Sequence, residues 1–265
     1  MLLPAALNYL QPRVFADLVR VGSARDGGYL VPRSALSDID AVLSFGVSVD
    51  WNFEKQLRAI HPSIDIHCYD HTVRPRRFVQ YVAKGIRHVL RGRGSISGVA
   101  DRIGVWRDYG RFFRDRTVHF RERVFNRREK ANDATIDAIF GRIAGKRHVL
   151  VKADIEGAEY RVLPDLLRHV DVIDVLVVEF HDTEPLRLVF EHQVGLLLQH
   201  FGLAHVHGNN FRGQAADGLP DVLEMTFVSK RLGLPADRRD RLPLPDLDSP
   251  CNPAAAELAL EFQAS

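Results

Sequence analysis

Residues able to do acid, base or ligand chemistry stand where short apolar runs end. Asp70 closes Ile64-Asp-Ile-His-Cys-Tyr, Asp154 closes Val149-Leu-Val-Lys-Ala, and Glu179 and His181 close Val172-Ile-Asp-Val-Leu-Val-Val. His207 and Asn209 close the run beginning Leu203-Ala-His-Val. Apolar runs of this length read as buried strands. Their carboxyl ends gather at one edge of a parallel sheet, the edge where open α/β sheets bind ligands. Any one of these residues alone reads as a turn or cap. Asp154, Glu156 and Glu159 in particular resemble an acidic helix start. Strand after strand ending in the same way makes a shared crevice the better account. Within it Asp154 and His181 are the candidate bases, His181 favoured because its unperturbed pKa lies nearest neutrality. Glu156, Glu179, His207 and Asn209 are placed to orient a substrate or to hold a divalent ion. Oxygen-rich donors of this kind suit magnesium or manganese rather than zinc. Lys152 is expected to anchor a carboxylate through a salt bridge.

The elements that must position these groups alternate. A short helix is expected in residues 1–18, from Leu10, Val14 and Leu18, and a hairpin around Asp26-Gly27-Gly28, with Tyr29 beyond its turn. The first strand, Asp40-Ala-Val-Leu-Ser-Phe-Gly46, ends in glycine and leads to a helix reaching Ile60. The second ends at Asp70, 24 positions after Gly46. An acid there can accept hydrogen bonds from both hydroxyls of a ribose. Residues 73–116 form a basic, largely helical insertion with Phe78, Val82, Ile86, Val89 and Leu90 on one face. A third strand is expected over Val118–Val124. A helix capped by Asp133 or Thr135 follows, then strands over 147–154, 172–181, 203–210 and 222–229 with helices between the first three. This order predicts an α/β fold with a mostly parallel sheet. The division is an N-terminal helix and hairpin (1–39), a main domain (40–232) and a C-terminal tail (233–265) that ends in a short alanine-rich helix.

The bulk properties narrow the class. Hydrophobic content of 46% and charged content of 26% over 265 residues are those of a globular chain. The two cysteines, Cys68 and Cys251, exclude a disulfide framework and suit a reducing compartment. The start of the chain does not read as a signal peptide, and no apolar run approaches the roughly 18 residues of a membrane span. The expected location is therefore cytoplasmic. The net charge of +2 conceals a split: Arg74 to Lys130 holds 17 basic and 5 acidic residues, an excess of +12 that leaves −10 elsewhere. That asymmetry points to an anionic partner, either a phosphate-bearing acceptor or an anionic membrane surface at the inner face.

A glycine turn after the first strand and an acid after the second suggest a nucleoside-bearing cofactor. The G-x-G-x-x-G fingerprint of dinucleotide binding is absent. S-adenosylmethionine fits, needing an acid for its ribose and backbone N–H groups for its carboxylate. The chain also resembles the FkbM-like family of S-adenosylmethionine-dependent methyltransferases. The resemblance rests on Lys152-Ala-Asp-Ile-Glu-Gly-Ala-Glu159, on Leu43-Ser-Phe-Gly46-Val with Asp50 and Phe53-Glu54, and on Thr135-Ile-Asp137. It rests further on Arg20-Val-Gly-Ser with Asp26-Gly-Gly-Tyr29, and on His207-Gly-Asn-Asn210 with Asp221-Val-Leu-Glu224. Ser48 stands where a second glycine is usual in methyltransferases. The resemblance implies a class I methyltransferase Rossmann-like fold, a seven-stranded mostly parallel sheet with an antiparallel last strand. It also implies methyl transfer to a hydroxyl of a sugar, glycan precursor or secondary metabolite. The expected cofactor residues are Gly46, Asp50, Glu54, Asp70 and Asp133, with Tyr29 on the acceptor side. An RNA methyltransferase is an alternative suggested by the basic insertion, weakened by its few aromatics. A non-catalytic glycan-binding protein on the same fold is another.

Overall fold

The structure is a computed structural model that describes residues 2–93 and 95–263, without the side chains of residues 75, 77, 78, 96 and 101. The position expected to be apolar at Phe78 therefore lies outside the described residues. Strands β1 (Leu18–Gly22) and β2 (Gly28–Pro32) form an antiparallel hairpin with Val21 opposite Tyr29. Arg20 braces its turn by donating to the carbonyls of Ser23 and Arg25. Then follow β3 (Ala41–Phe45), α1 (Asn52–Ile60) and β4 (Asp65–Tyr69). Helices α2 (Pro75–Leu90) and α3 (Ile96–Phe112) make up the basic insertion. Next come β5 (Thr117–Phe120), β6 (Arg123–Val124), β7 (Asp133–Ala134), α4 (Ile136–Gly141), β8 (Val149–Ala153) and α5 (Glu159–Leu166). The chain continues through β9 (Ile173–Phe180), α6 (Arg187–His200), β10 (Phe201–Gly208) and β11 (Leu223–Ser229) to β12 (Arg241–Leu242) and β13 (Leu260–Glu261).

Seven strands form one sheet in the order β10-β11-β9-β8-β3-β4-β5. The pairs β8–β9, β3–β8, β3–β4 and β4–β5 are parallel, and β11 runs antiparallel between β9 and β10. This is the expected α/β fold, a seven-stranded, mostly parallel sheet with its last strand antiparallel. Strands β3, β8 and β9 are buried throughout, which is why they read as unbroken apolar runs. Along β8, Val149 and Val151 pack into the core on one face while Leu150 packs into the core on the other. The second face is covered by the hairpin and α1, through Tyr29, Leu30, Phe53 and Leu57.

Three expectations need correction. Residues 1–18 hold only a short 3-10 helix, Ala5–Leu10, bounded by Pro4 and Pro12. The third strand of the sheet stops at Phe120, and Arg123–Val124 pairs instead with Asp133–Ala134. The alanine-rich tail has no helix among the described residues. Pro253 and the short run Ala254–Ala256 give a turn, and β13 pairs with β12. Leu242, Leu260 and Phe262 of the tail join the main core beside Leu3, Leu7 and Leu10. Leu3 N–H donates to the Glu261 carbonyl at 2.7 Å, which ties the two ends of the chain together.

Candidate functional site

The chain runs outward from β3 to β4 and β5, then returns to β8 and β9 on the other side. The topological switch point therefore lies between the tips of β3 and β8, where a crevice is expected. The tips are locked together. After Phe45 the backbone turns at Gly46, whose φ is +79°, a region that side chains rarely enter. A Cβ there would lie 1.7 Å from the Asp154 carbonyl oxygen. Glycine is thus what lets the β3 and β8 tips touch. Lys152 closes the contact by donating to the Gly46 carbonyl at 2.9 Å.

Asp70 ties the same loop to β4. Its Oδ2 accepts from Val47 N–H at 3.3 Å and Ser48 N–H at 2.8 Å, and its Oδ1 accepts from the Thr72 N–H and hydroxyl, each at 2.7 Å. Burial alone would raise its pKa. The bonds from Thr72, Ser48 and Val47 hold it below the usual carboxylate range. Ser48 has φ +45°, so the path expected of a glycine is kept with serine in place. The local cost is roughly 1 kcal/mol.

Over these tips lies a cavity of ≈ 1060 Å³. It is walled by Gly46–Asp50 of the β3 loop, Asp70–Thr72, Glu122–Phe125 beyond β5, and Lys152 with Asp154–Glu156 at the β8 tip. Asp26 and Gly27 of the hairpin and Arg74, Arg76 and Gln80 from the start of α2 also line it, with Phe53, Tyr69 and Ala158. Of the expected site residues, Gly46, Asp50, Asp70, Asp154 and Glu156 are brought to this wall. Asp50 accepts from the Asn52 N–H at 2.9 Å and from the Ser23 hydroxyl. Glu156 sits at φ +56°, its side chain exposed.

The other expected residues lie elsewhere. Glu54 is buried beneath the floor, where Ser44 Oγ donates to it at 2.5 Å, and burial raises its pKa. Asp133 is turned away and holds Arg123 through two contacts of 2.8 Å, so Arg123 rather than Asp133 reaches the cavity. Tyr29 is buried edge-on against Phe53, with the Lys152 ammonium 5.6 Å from its ring centre. Among the described residues its hydroxyl has no hydrogen-bond partner.

Glu179, His207 and Asn209 form a separate buried network on the β9–β11–β10 side. Strand register sets Glu224 between Glu179 and His207. Asn209 donates to Glu179 at 2.7 Å. Burial, then Asp154 and Glu224, push the Glu179 pKa well above the carboxylate range. His207 is gripped by Glu224 at 2.7 Å and by Glu257 of the tail at 2.5 Å. Against its burial, contacts with Cys251, Glu224 and Glu257 push its pKa up to about 12. It is an imidazolium clamp between sheet and tail.

His181 is outside the cavity wall but near it. Its Nδ1 lies 3.3 Å from Glu159, an ion-pair distance without hydrogen-bond alignment, and its Nε2 lies 3.6 Å from Glu156. Burial favours the neutral ring. Glu159, Asp154 and Glu156 outweigh it and push the pKa up to about 9. This overturns the reason for favouring His181 as the base: at neutral pH it already carries the proton. Asp154, a quarter exposed and 3.7 Å from Lys152, is the carboxylate left facing the cavity at the centre of the sheet. Lys152 itself keeps a raised pKa in spite of burial because Asp154, Glu54 and Glu179 surround it.

Glu156, Glu179, His207 and Asn209, read as able to orient a substrate or hold a divalent ion, do not form one group. Among the described residues, three other groups place one donor atom each within 4.8 Å of one another: His207, Glu224 and Cys251; Asp154, Glu159 and His181; and Asp26, Glu179 and Glu224. Sequence reasoning missed Glu224, Glu257, Cys251 and Arg123. The alternation His207 opposite Glu224 opposite Glu179 was the available signal, once strand neighbours are known.

No protein-family model and no curated protein matches the chain. Among solved structures, a precorrin-6y C5,15-methyltransferase from Geobacter metallireducens is 11% identical, over 74% of this chain and 85% of that one, with a TM-score of 0.36. A predicted O-methyltransferase from Agrobacterium tumefaciens is 10% identical, over 74% and 78%, with a TM-score of 0.33. The antibiotic-resistance methyltransferase Kmr is 11% identical, over 80% and 99%, with a TM-score of 0.35. These likenesses are faint, and the assignment of the fold rests on the strand order and directions themselves.

Proposed function

We propose that the protein is an S-adenosylmethionine-dependent O-methyltransferase of the FkbM-like kind, acting on a hydroxyl of a sugar, glycan precursor or secondary metabolite. The observation that carries this reading is the cavity at the β3/β8 switch point of a class I methyltransferase sheet, built around Gly46, Asp70 and Asp154. The residues present fit the cofactor: Gly46 and Asp70 line the cavity, and Tyr69, Val124 and Phe125 offer apolar wall beside them. When bound, the cofactor supplies a methyl group already activated by its sulfonium.

What remains for the chain is alignment and removal of a proton. Asp154 would take the proton that the acceptor hydroxyl gives up. Lys152 fixes that carboxylate and the Gly46 loop together. His181, held protonated, adds positive charge beside Asp154 and keeps Glu156 near the mouth. For a magnesium or manganese ion the oxygen-only group Asp26, Glu179 and Glu224 is the fitting donor set, beside the cavity rather than in its centre.

The test is incubation with S-adenosylmethionine and a panel of nucleotide sugars, free glycosides and RNA, read by mass spectrometry for one added methyl group. Methylation of a sugar hydroxyl, lost in Asp154→Asn, supports the reading. Methylation of RNA alone, or of nothing while a glycan still binds, refutes it.

A further inference from the structure

We propose that helix α2 docks this protein on an anionic lipid surface. The proposal is independent of methyl transfer, since none of its observations involves the cofactor. Helix α2 has an apolar arc wider than its neighbour covers. Toward α3 it packs closely: a Cβ at Gly85 would meet the Arg102 side chain at 2.7 Å, and Val82 and Val89 are half-buried. Beyond that contact, Val79, Ala83, Ile86 and Leu90 follow at spacings of four, three and four residues, so they share one face. They are exposed, Val79 by 53%, Ile86 by 46% and Leu90 by 82%.

One flank of that stripe is cationic. Gln80, Ala83, Lys84, Arg87, His88 and Arg91 line a groove of ≈ 330 Å³. Among the described residues, Lys84, Arg87 and Arg91 have no carboxylate within ion-pair distance, whereas Lys55 beneath α3 is paired with Asp108 at 2.6 Å. An aliphatic stripe beside an unneutralised basic groove is the pattern of a helix lying in a lipid interface. There the aliphatics enter the acyl boundary and the cations meet anionic headgroups.

Nucleic acid is the less suitable partner for the same charge. Stacking needs exposed aromatic faces. In this insertion Tyr109 and Phe113 pack against Trp51, and Tyr81 lies under the Arg102 guanidinium at 4.0 Å. Among the described aromatics of the insertion, Trp106 is exposed. Gln80 lines both the basic groove and the large cavity, so a surface held by α2 would lie at the cavity mouth.

The experiment is flotation of the full-length protein with vesicles of phosphatidylcholine alone or mixed with phosphatidylglycerol. Binding to the anionic vesicles is expected, at least about 10-fold weaker to neutral ones and weakened by added salt. The triple variant Lys84→Glu, Arg87→Glu, Arg91→Glu should lose on the order of 100-fold, and the double variant Ile86→Asp, Leu90→Asp about 10-fold. Circular dichroism and the thermal midpoint establish that both variants are folded. Failure of the wild-type chain to bind anionic vesicles overturns the proposal. So does undiminished binding by the two variants, or tighter binding of single-stranded RNA than of vesicles.

Discussion

Replacing His181 by glutamine should change not only stability but the way stability depends on pH. The ring is charged in the fold because Glu159, Asp154 and Glu156 outweigh burial, and its pKa rises from 6.5 to about 9. At 1.36 kcal/mol per pH unit that displacement corresponds to about 3 kcal/mol. The exposed Glu156 is screened by solvent, which leaves about 2 kcal/mol as the working figure. The pKa is raised on folding, so this contribution is fully present below pH 6.5, declines as pH rises, and is gone above about 9. Glutamine also gives up the packing of the buried ring, a cost at every pH. Urea unfolding of the wild type and the variant at intervals from pH 6 to pH 10 separates the two effects. The stability gap should narrow by about 2 kcal/mol across that range. A gap that stays constant, or widens, would refute the claim that His181 is an imidazolium at neutral pH.

Other substitutions probe the remaining links. Gly46→Ala should cost at least about 2 kcal/mol and abolish cofactor binding, because the side chain meets the Asp154 carbonyl and the backbone is left-handed there; thermal denaturation and calorimetry with S-adenosylhomocysteine measure both. Glu257→Ala frees one side of His207, with an expected loss of about 1–3 kcal/mol and faster proteolysis of the tail after Ser249. With Asp154 as base, turnover should fall by about 100-fold or more in Asp154→Asn; a rate that climbs toward pH 9 and vanishes in His181→Gln would assign the proton to His181 instead.

Much of the sheet was legible because its strands are buried on both faces and their tips carry polar residues. Gly46, Asp70 and Asp154, read as strand ends, stand at the cavity wall. What sequence could not show was lateral. A strand-end residue is placed at an edge by its run, but its neighbours come from strand order and register. His207 and Glu179 were assigned to the acceptor because they end strands. The antiparallel β11, inserted between β9 and β10, supplies Glu224, and the tail supplies Glu257; together they make a closed ionic network there. Glu54 and Asp133 were misplaced in the same way, each facing a partner across the fold, Ser44 and Arg123. The pKa of His181 was out of reach because its shift arises from three carboxylates brought together only on folding. The tail misled by composition: three alanines favour helix, but Pro253 precedes them and the core claims Leu260 and Phe262.

The central claim is that the tips of β3, β4 and β8 form a cofactor site, and calorimetric titration of S-adenosylhomocysteine tests it most directly. The wild-type chain should bind one equivalent with a Kd on the order of micromolar. Asp70→Ala removes the tie to the Val47 and Ser48 amides and should weaken binding at least about 100-fold. No heat of binding to the wild-type chain at millimolar ligand, or equal affinity in the Asp70 variant, would contradict the account.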